Sequence, residues 1–454
     1  MGAEKDIIVA VELGSKAIRA AAGKREPNGT MQILAIAQEE ASNAIRKGLV
    51  DSIDKTTQTI SHVVDMINTQ LGIRTTRIYA GLSGQSLHTK ANAVPCQLPE
   101  KTQISARIID QLMETNSGVV YPDSKILDVV PQEYNIGPRK VTDPIGMVTN
   151  QVEAHYMNVV ARDILSDNIE LSVHNAGLEL AELLISPICL ADALLSSNEK
   201  RSGCALVDMG ADTTTVLVYT NNILRHLAVI PLGGSNVTAD ISSKGVETEE
   251  AEALKLKYGT ASHKDDAGNE KKENIKLSFG RSISEEELQE IIESRYEEII
   301  FNAGHQIHDF NDKLLSGLVL TGGASRIKGI TEAFSSAIHF DKQVRMYKGL
   351  PKDIVLAPSV KISENDNYNT LFALLLKGDQ PCAGDVPAEE EEEIEPSKKI
   401  EENTTPSEGG NDINGSQEGE VEEENEKKAK TGVKSKFKRF WETMNKMLTD
   451  PEEE

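Results

Sequence analysis

Blocks of apolar residues alternate with polar turns over most of the chain and predict an ordered series of strands and helices. Residues 7–13 are almost continuously apolar, which is typical of a buried strand, and residues 17–22 and 31–37 predict two more strands. Residues 51–71 place apolar side chains at the spacing of one helical face, and Gly72 then marks the end of the helix. The chain therefore begins as a mixed α/β domain.

The same alternation returns in the second half of the chain. Residues 204–219 predict a strand, a turn and a second strand, and residues 317–323 predict a strand that ends in a glycine pair. A capping box at Ser284 begins a helix with one apolar face, and residues 368–377 predict a helix that closes the folded part. This order of elements favours two α/β layers in succession.

Three regions differ from this alternation of apolar blocks and polar turns. From about 84 to 160, glycine, proline and polar residues interrupt short strands, with one helix near 103–116, which indicates an inserted subdomain. Residues 379–432 are acidic and poor in apolar residues, so we expect a disordered linker there. Residues 433–449 regain the pattern of a helix.

Composition and charge narrow the class of protein. The net charge of −24 argues against nucleic-acid binding, because such binding depends on clustered lysine and arginine. The cysteines lack metal-ligand spacing, which favours a reduced, cytosolic setting. The first residues lack the features of a signal peptide, and the most apolar stretch, 177–195, contains charged residues and a proline. We therefore expect no membrane-spanning segment.

One short pattern occurs twice in the chain. Residues 9–16 (VAVELGSK) and 205–212 (ALVDMGAD) each carry an apolar strand, a carboxylate, and a glycine two residues later. Glycine lets backbone N–H groups approach phosphates closely, and Glu12 and Asp208 can hold the waters around a Mg²⁺ ion. A duplicated lobe with a nucleotide between the copies would produce this pattern, whereas either copy alone would be an ordinary hairpin. The candidate residues in these turns and two later glycine turns are Gly14, Ser15, Gly210, Thr213, Thr214, Gly233, Gly234, Ser235, Gly322, Gly323 and Ser325.

Three longer motifs resemble those of a known protein family. They are PLGGSNVTADIS at 231–242, EEAEALKLKYG at 249–259 and VLTGGASRIKGI at 319–330. All three closely resemble the FtsA family of bacterial cell-division proteins, within the actin/Hsp70/sugar-kinase superfamily. The resemblance implies a two-lobed, actin-like α/β fold that binds ATP and Mg²⁺. It also adds Lys16 and Lys257 to the candidate nucleotide-binding residues.

The resemblance further implies partners and a subdomain plan. A protein of this family would associate with itself into protofilaments, bind the C-terminal tail of FtsZ, and recruit later division proteins. It would anchor FtsZ filaments to the cytoplasmic side of the cell membrane at the division septum. The FtsZ tail is expected to dock on the helical subdomain. The expected bounds are 5–83 and 162–203 for subdomain 1A, 84–161 for the inserted subdomain 1C, 204–242 for the first part of 2A, 243–312 for the helical subdomain 2B, 313–378 for the second part of 2A with the closing helix, 379–432 for the linker and 433–449 for the terminal helix.

Hydrolysis of ATP is a separate question. The stronger ATPases of the superfamily carry a glutamine or glutamate in the segment that corresponds to 186–198. Here that segment has Asp192 as its one acidic residue and contains no glutamine or glutamate. Because activation of a water needs a base within hydrogen-bond reach, we expect slow or negligible hydrolysis.

The terminal segment 433–449 predicts an amphipathic helix that lies on a membrane surface. Its apolar residues recur at the spacing of one helical face and include the single tryptophan of the chain, and basic residues lie beside that face. A helix that docks on its own domain is the alternative, although a long linker separates it from the folded part. The residues expected to contact anionic lipid are Phe437, Phe440, Trp441, Met444, Met447, Leu448, Lys434, Lys438 and Arg439.

Two other functions within the same superfamily stay open from the sequence. A pilus-assembly adaptor would share the actin-like fold and the inserted subdomain, but the terminal amphipathic helix does not favour it. A small-molecule kinase would need a substrate-binding acid in the cleft between the lobes and would have no use for a membrane helix.

Overall fold

Two sheets of similar topology organise the chain. A computed structural model describes residues 6–385, except 42, 263–273, 279–280 and 364–366. The predicted linker beyond 385 and the predicted membrane helix 433–449 lie outside the described residues.

The first lobe contains a sheet of mixed direction. Its strands are β1 (Ile7–Leu13), β2 (Ala17–Arg25), β3 (Met31–Glu40), β7 (Arg77–Leu82), β12 (Glu179–Ile185) and β20 (Ile354–Leu356). The order is β12-β7-β1-β2-β3-β20, in which β1 to β3 form an antiparallel meander and β7 and β12 continue in parallel with β1. The helices that pack with this lobe are α1 (Ile53–Leu71), α3 (Asp163–Asn175), α4 (Ser186–Leu194) and α10 (Asn369–Lys377).

The second lobe repeats this arrangement. Its strands are β13 (Cys204–Met209), β14 (Thr214–Thr220), β15 (Ile223–Ile230), β18 (Leu318–Thr321) and β19 (Val344–Met346). They lie in the order β15-β14-β13-β18-β19, again a meander of three strands followed by two parallel ones. The order matches β3-β2-β1-β7-β12 strand for strand. The duplicated α/β fold that the sequence predicted is therefore confirmed.

Helices cover the second lobe and build its outer part. They are α6 (Gly234–Ser242), α7 (Thr248–Tyr258), α8 (Glu285–Ile307) and α9 (Ile330–Ala337), together with 3-10 turns at His308–Lys313 and Ala324–Arg326 and a small sheet of β16 (Asn274–Lys276) and β17 (Ser282–Ser284). Ser284 caps α8 as predicted, because its hydroxyl accepts a hydrogen bond from the Glu287 N–H at 3.1 Å. The apolar face of α8 is buried in the core of this lobe.

The inserted segment forms its own curved sheet with one helix. Its elements are β8 (His88–Gln103), α2 (Ala106–Ser117), β9 (Lys125–Ile136), β10 (Arg139–Val141) and β11 (Val148–Ala161). The strands are longer than the short strands expected from the sequence. Pro95 lies within β8, opposite Glu153 of β11. Beyond His88 the other edge of β8 pairs with no strand among the described residues, so the missing N–H of proline breaks no ladder bond.

The insertion follows β7 of the first lobe along the chain, yet its sheet continues the sheet of the second lobe. The two sheets join where Ala228 of β15 pairs with His88 of β8. Beside this point, the Leu227 N–H donates to Thr89 Oγ1 at 3.0 Å, and the Arg225 guanidinium lies 2.7 Å from a Glu133 carboxylate oxygen. The insertion therefore contacts both lobes.

The last described part of the chain returns to the first lobe earlier than the predicted bounds. Strand β20 pairs with β3, although the span 313–378 was assigned to the second lobe with its closing helix. The sequence also predicted disorder from residue 379. Instead, β21 (Ala383–Asp385) pairs with β6 (Ile73–Thr75), Cys382 is buried, and the Tyr79 hydroxyl donates to Asp379 at 2.9 Å. Hydrogen bonding to β6 orders this segment despite its polar sequence.

Candidate functional site

Each lobe presents the same tight turn after its first strand. The Gly14 N–H donates to the Ala17 carbonyl at 3.2 Å, and the Gly210 N–H donates to the Thr213 carbonyl at 2.8 Å. In both lobes the acidic residue occupies the penultimate position of the strand before the turn. The repeated sequence pattern thus corresponds to a repeated backbone structure, which we call the first and second phosphate turns (residues 13–17 and 209–214).

The glycine turn at 233–235 packs directly on the second phosphate turn. The Gly234 N–H donates to the Gly210 carbonyl at 3.0 Å, and the Ser235 N–H donates to the Ala211 carbonyl at 2.7 Å. A Cβ atom on Gly233 would lie 2.4 Å from the Ala211 carbonyl oxygen, so this position admits only glycine. The hydroxyl of Ser235 is free to face solvent because this residue is exposed.

The fourth glycine turn also closes on the second lobe's carboxylate. Gly322 has a φ of +92°, and a Cβ there would lie 2.5 Å from Asp208 Oδ1 and 2.3 Å from the Met209 carbonyl oxygen. Gly323 has open space around it. The buried Ser325 hydroxyl donates to the Gly322 carbonyl at 2.8 Å and fixes the turn. The backbone at Gly322 therefore approaches Asp208 more closely than any side chain would allow.

Two predicted residues have structural partners that reduce their availability to a ligand. The Thr214 hydroxyl is buried and donates to the Leu232 carbonyl at 2.9 Å. The Ser15 hydroxyl accepts a hydrogen bond from the Gly48 N–H at 3.2 Å, although Ser15 is only partly buried. Thr213 contributes its carbonyl to the second phosphate turn and is also partly buried.

The two carboxylates of the repeated pattern come close enough to influence each other. Burial raises the pKa of Asp208 to about 7, and the charge of Glu12 adds to this shift. Burial also raises the pKa of Glu12, but its neighbour Arg19 offsets part of the effect with a nitrogen 3.4 Å from Oε2. Two acidic groups that converge between lobes form an environment that favours a cation. Their chemistry fits a hydrated Mg²⁺ ion, which binds proteins through few carboxylates and keeps several waters.

The lysine that lies beside the glycine turns is Lys255, which the sequence pattern did not indicate. Its ammonium is buried, 3.0 Å from the Gly234 carbonyl oxygen and 2.6 Å from Glu252 Oε2. Burial lowers the pKa of Lys255, while Glu252 opposes the shift. The predicted Lys257 is exposed and its ammonium lies over the Tyr258 ring, so the structure does not bring it into this group. Residues two apart on a helix point in different directions, which makes the choice between them sensitive to helix rotation.

The first phosphate turn also contacts the second lobe through a side chain. The Lys16 ammonium lies 3.5 Å from Glu252 Oε1 and is largely exposed. Glu252 therefore lies between Lys16 and Lys255, at the mouth of the cleft between the lobes. Glu252 is a further candidate that sequence spacing alone did not indicate.

The predicted membrane-binding residues of 433–449 lie outside the described residues. Within the part of the chain that is described, no helix has both the length and the apolar character needed to span a bilayer.

Comparisons with known proteins place this geometry in a family context. Residues 205–365 match the family profile described as "Cell division protein FtsA", and residues 84–160 match the profile described as "SHS2 domain inserted in FTSA". The second match covers the insertion between β7 and α3.

Full-length comparisons agree with these two matches. A protein named "Cell division protein FtsA" from Neisseria meningitidis is 30% identical over 365 residues, which cover 78% of this chain and 86% of that protein. A protein of the same name from Porphyromonas gingivalis is 27% identical over 389 residues, covering 83% of this chain and 79% of its own. Among solved structures, one titled "PilM-PilN type IV pilus biogenesis complex" is similar in fold, with a TM-score of 0.59 and 15% identity, covering 83% of this chain and 100% of its own.

Proposed function

Because the chain belongs to the FtsA family of cell-division proteins, we propose that it binds Mg²⁺–ATP between its lobes and anchors FtsZ filaments to the cytoplasmic face of the membrane at the septum. The role in cell division follows from the family. The observation that best supports the nucleotide part is the pair Glu12 and Asp208, which converge from matching turns of two matching lobes.

Each part of the proposed nucleotide site has a chemical task. The two phosphate turns would offer the backbone N–H groups of residues 15–16 and 211–213 to phosphate oxygens, whereas the 233–235 turn uses its own N–H groups within the second lobe and supports the second phosphate turn. Gly322 is closely packed, whereas the exposed Gly323 has open space around it that leaves room for a flat adenosine group. Mg²⁺, when bound, would neutralise phosphate charge. Glu12 and Asp208 would hold its waters, and the cation would in turn relieve the repulsion between them.

The structure supports slow hydrolysis of ATP. The helix α4, which spans most of 186–198, carries Asp192 as its one charged residue. The Asp192 carboxylate lies 2.5 Å from the Lys200 ammonium and 2.6 Å from that of Lys377. Burial alone would raise the pKa of Asp192, but Lys377 and Lys200 outweigh it and hold the pKa below its usual range. A carboxylate held in two ion pairs is a poor base. We expect phosphate release far below the typical enzyme rate of about 10 s⁻¹; release near that rate would reveal a base elsewhere.

The FtsZ tail is proposed to dock on the outer helices of the second lobe, within residues 243–312. A groove of about 680 Å³ runs between α6 and α8 there. Its walls carry charges of both signs, including Lys244, Glu290 and Arg295. A peptide with both acidic and basic residues suits such a surface. Self-association or recruitment of later division proteins is assigned to the insertion, so that deletion of 84–160 should impair one of these and spare binding of the FtsZ tail.

Membrane attachment is assigned to the predicted helix 433–449. Each fully buried apolar side chain would stabilise binding by roughly 1.5–3 kcal/mol, reduced by partial immersion, and each basic residue near an anionic surface adds about 1 kcal/mol. One such helix binds reversibly. Polymerisation would place many helices on one surface and convert weak binding into firm attachment through avidity.

Co-sedimentation with anionic lipid vesicles, with and without FtsZ, tests the adaptor function. Replacement of Trp441 by glutamate, or removal of 433–454, should leave a folded, ATP-binding protein that no longer brings FtsZ to vesicles. The variant Ser435→Glu adds the same charge on the opposite side of the predicted helix and should retain most of the binding. Rising salt should weaken attachment, because part of it is electrostatic. Attachment of the truncated protein to vesicles would contradict the proposal.

The two alternative functions lack equivalent support. The pilus-complex structure is 15% identical and therefore indicates a common fold alone. The relatives from Neisseria and Porphyromonas are both named as cell-division proteins, and each aligns with this chain over most of its own length.

A further inference from the structure

A short hairpin of the first lobe reaches both phosphate turns. It consists of β4 (Ile45–Arg46) and β5 (Leu49–Val50), and we call it the strap. At its tip the Lys47 N–H donates to Asp212 Oδ2 of the second lobe at 3.1 Å. The next residue, Gly48, donates its N–H to Ser15 Oγ of the first phosphate turn at 3.2 Å. Two consecutive backbone groups thus connect the two halves of the nucleotide cleft.

The tip of the strap is held in an unusual backbone conformation. Lys47 has a φ of +50°, a region that a lysine rarely adopts, and Gly48 has a φ of +76°. A Cβ on Gly48 would lie 2.5 Å from both Gly84 Cα and the Ser83 carbonyl oxygen. The Gln85 N–H also donates to the Lys47 carbonyl at 3.1 Å. Such strain persists only where surrounding contacts determine it, and it concentrates at functional sites.

The charge of Lys47 is available to a ligand. Its side chain is exposed, and no ion pair to its ammonium occurs within the described residues. The other two lysines near the phosphate turns, Lys16 and Lys255, both contact Glu252. The cleft also holds the carboxylates Glu12, Asp208 and Asp212, which repel a polyphosphate unless cations compensate them.

We propose that Lys47 binds the terminal phosphate of a nucleoside triphosphate and that the strap aligns it by bridging the two phosphate turns. The backbone of Lys47 is anchored between the turns, and its flexible four-carbon stem would let the ammonium reach a phosphate that lies across them. The inference rests on the proposed nucleotide site and specifies how that site distinguishes a triphosphate from a diphosphate.

Affinities for Mg²⁺–ATP and Mg²⁺–ADP, measured by calorimetry on the full chain, test this role. Lys47→Gln should weaken ATP binding about tenfold and ADP binding less than about twofold, since it removes one charge-assisted contact to the terminal phosphate. Lys47→Arg should restore most of the preference. Arg46→Gln removes a neighbouring exposed charge and should leave the ATP/ADP ratio unchanged. Equal weakening of both nucleotides by Lys47→Gln, or the same ratio change in Arg46→Gln, would overturn the proposal.

Substitutions of Asp212 test the strap itself. Removal of its negative charge should strengthen ATP binding, whereas loss of its hydrogen bond to the Lys47 N–H should weaken ATP binding. Asp212→Asn removes a negative charge but keeps an oxygen acceptor for the Lys47 N–H, so ATP binding should hold or tighten. Asp212→Ala removes the same charge and the acceptor, and ATP binding should weaken by about tenfold. Equal tightening in both variants would show that the strap does not align Lys47. If the unaltered protein binds neither nucleotide, the proposed function and this inference both fail; if it binds ATP and the variants behave alike, the strap inference alone fails.

Discussion

The two phosphate turns share a backbone but differ in the charge opposite their carboxylates. In the first lobe, Glu12 pairs across the β1–β2 ladder with Arg19. In the second lobe, Asp208 occupies the matching place and pairs with Thr215, which is uncharged. The guanidinium of Arg19 lies 3.4 Å from Glu12, whereas no basic group contributes to the raised pKa of Asp208.

This difference shows that duplication preserved topology while the electrostatics of the copies diverged. The first carboxylate has a cationic neighbour, Arg19, in its own lobe, whereas the second has none and, in the proposed complex, would depend on a cation that arrives with the nucleotide. The free-energy cost of an ionised carboxylate is therefore compensated by a neighbouring cation in the first lobe and not in the second. The predictions below test this asymmetry, beginning with the largest expected effect.

Among the described glycines, Gly322 is the one where an added Cβ would meet the Asp208 carboxylate. Gly322→Ala should abolish the stabilisation by Mg²⁺–ATP and lower the free energy of unfolding by about 3 kcal/mol or more, because the positive φ and two contacts under 3 Å must be relieved. Gly118→Ala is the matched control, since this glycine lies in the insertion, its φ of −82° suits alanine, and an added Cβ would come no nearer than 3.5 Å to another atom. Thermal unfolding with and without ligand measures both. A normal ligand-dependent shift in Gly322→Ala would show that adenosine does not depend on this turn.

The raised pKa of Asp208 predicts a pH dependence of stability without ligand. The folded state binds this proton more tightly than the unfolded state, so stability should fall as pH rises from about 3.8 to about 7 and then level off. Asp208→Asn removes the penalty and should be more stable than the unaltered protein above pH 7, by a few kcal/mol, and nearly equal to it near pH 4. Denaturant titrations across this range without Mg²⁺ or nucleotide provide the measurement.

Glu12→Gln is the internal control for that experiment. Removal of the Glu12 charge leaves Arg19 without its carboxylate partner, so the gain from reduced burial cost is offset and the net change should be smaller than for Asp208→Asn. A larger pH effect for Glu12→Gln than for Asp208→Asn would reverse the proposed asymmetry between lobes.

The outer edges of the two central sheets provide a smaller contrast. In the first lobe, strand β20 pairs with the outer edge of β3. In the second lobe, the insertion contacts β15 through the ion pair between Arg225 and Glu133. Arg225→Met should lower the free energy of unfolding by about 1–3 kcal/mol, because it breaks a largely buried ion pair and two further hydrogen bonds. Lys140→Met, at an exposed neighbouring cation, should change it by less than about 0.5 kcal/mol. Equal changes in the free energy of unfolding of the two variants would contradict a special role for the Arg225 contact.

Local patterns in the sequence were sufficient for the parts of the fold that depend on neighbours along the chain. The strand, carboxylate and glycine of each phosphate turn are contiguous, so the duplication could be predicted from the amino-acid sequence alone. The cap at Ser284 was equally local. The choice between Lys255 and Lys257 could not be predicted from local sequence. Both lysines lie on α7, and the packing of this helix on the 233–235 turn decides which of them is buried.

Long-range pairing accounts for the remaining differences. Residues 379–385 have the composition of a linker, yet β6 pairs with β21 and orders them. The insertion has prolines that suggest short strands, but an unpaired strand edge accommodates Pro95. The strap was missed because a two-residue strand on each side of Lys47 leaves no periodicity to detect, and its function depends on Asp212, 165 residues away.

The insertion also affects how the two lobes can move. The chain crosses between the two lobes after α5 (Ser197–Ser202) and again before β20, so a change in the angle between the lobes would bend the chain at these two crossings. The junction of His88 with Ala228 connects the insertion to the sheet of the second lobe, so the same change in angle would also have to displace the insertion relative to the first lobe. Opening of the cleft is therefore coupled to the position of residues 84–160. A binding surface on the insertion would change its position whenever the angle between the lobes changes.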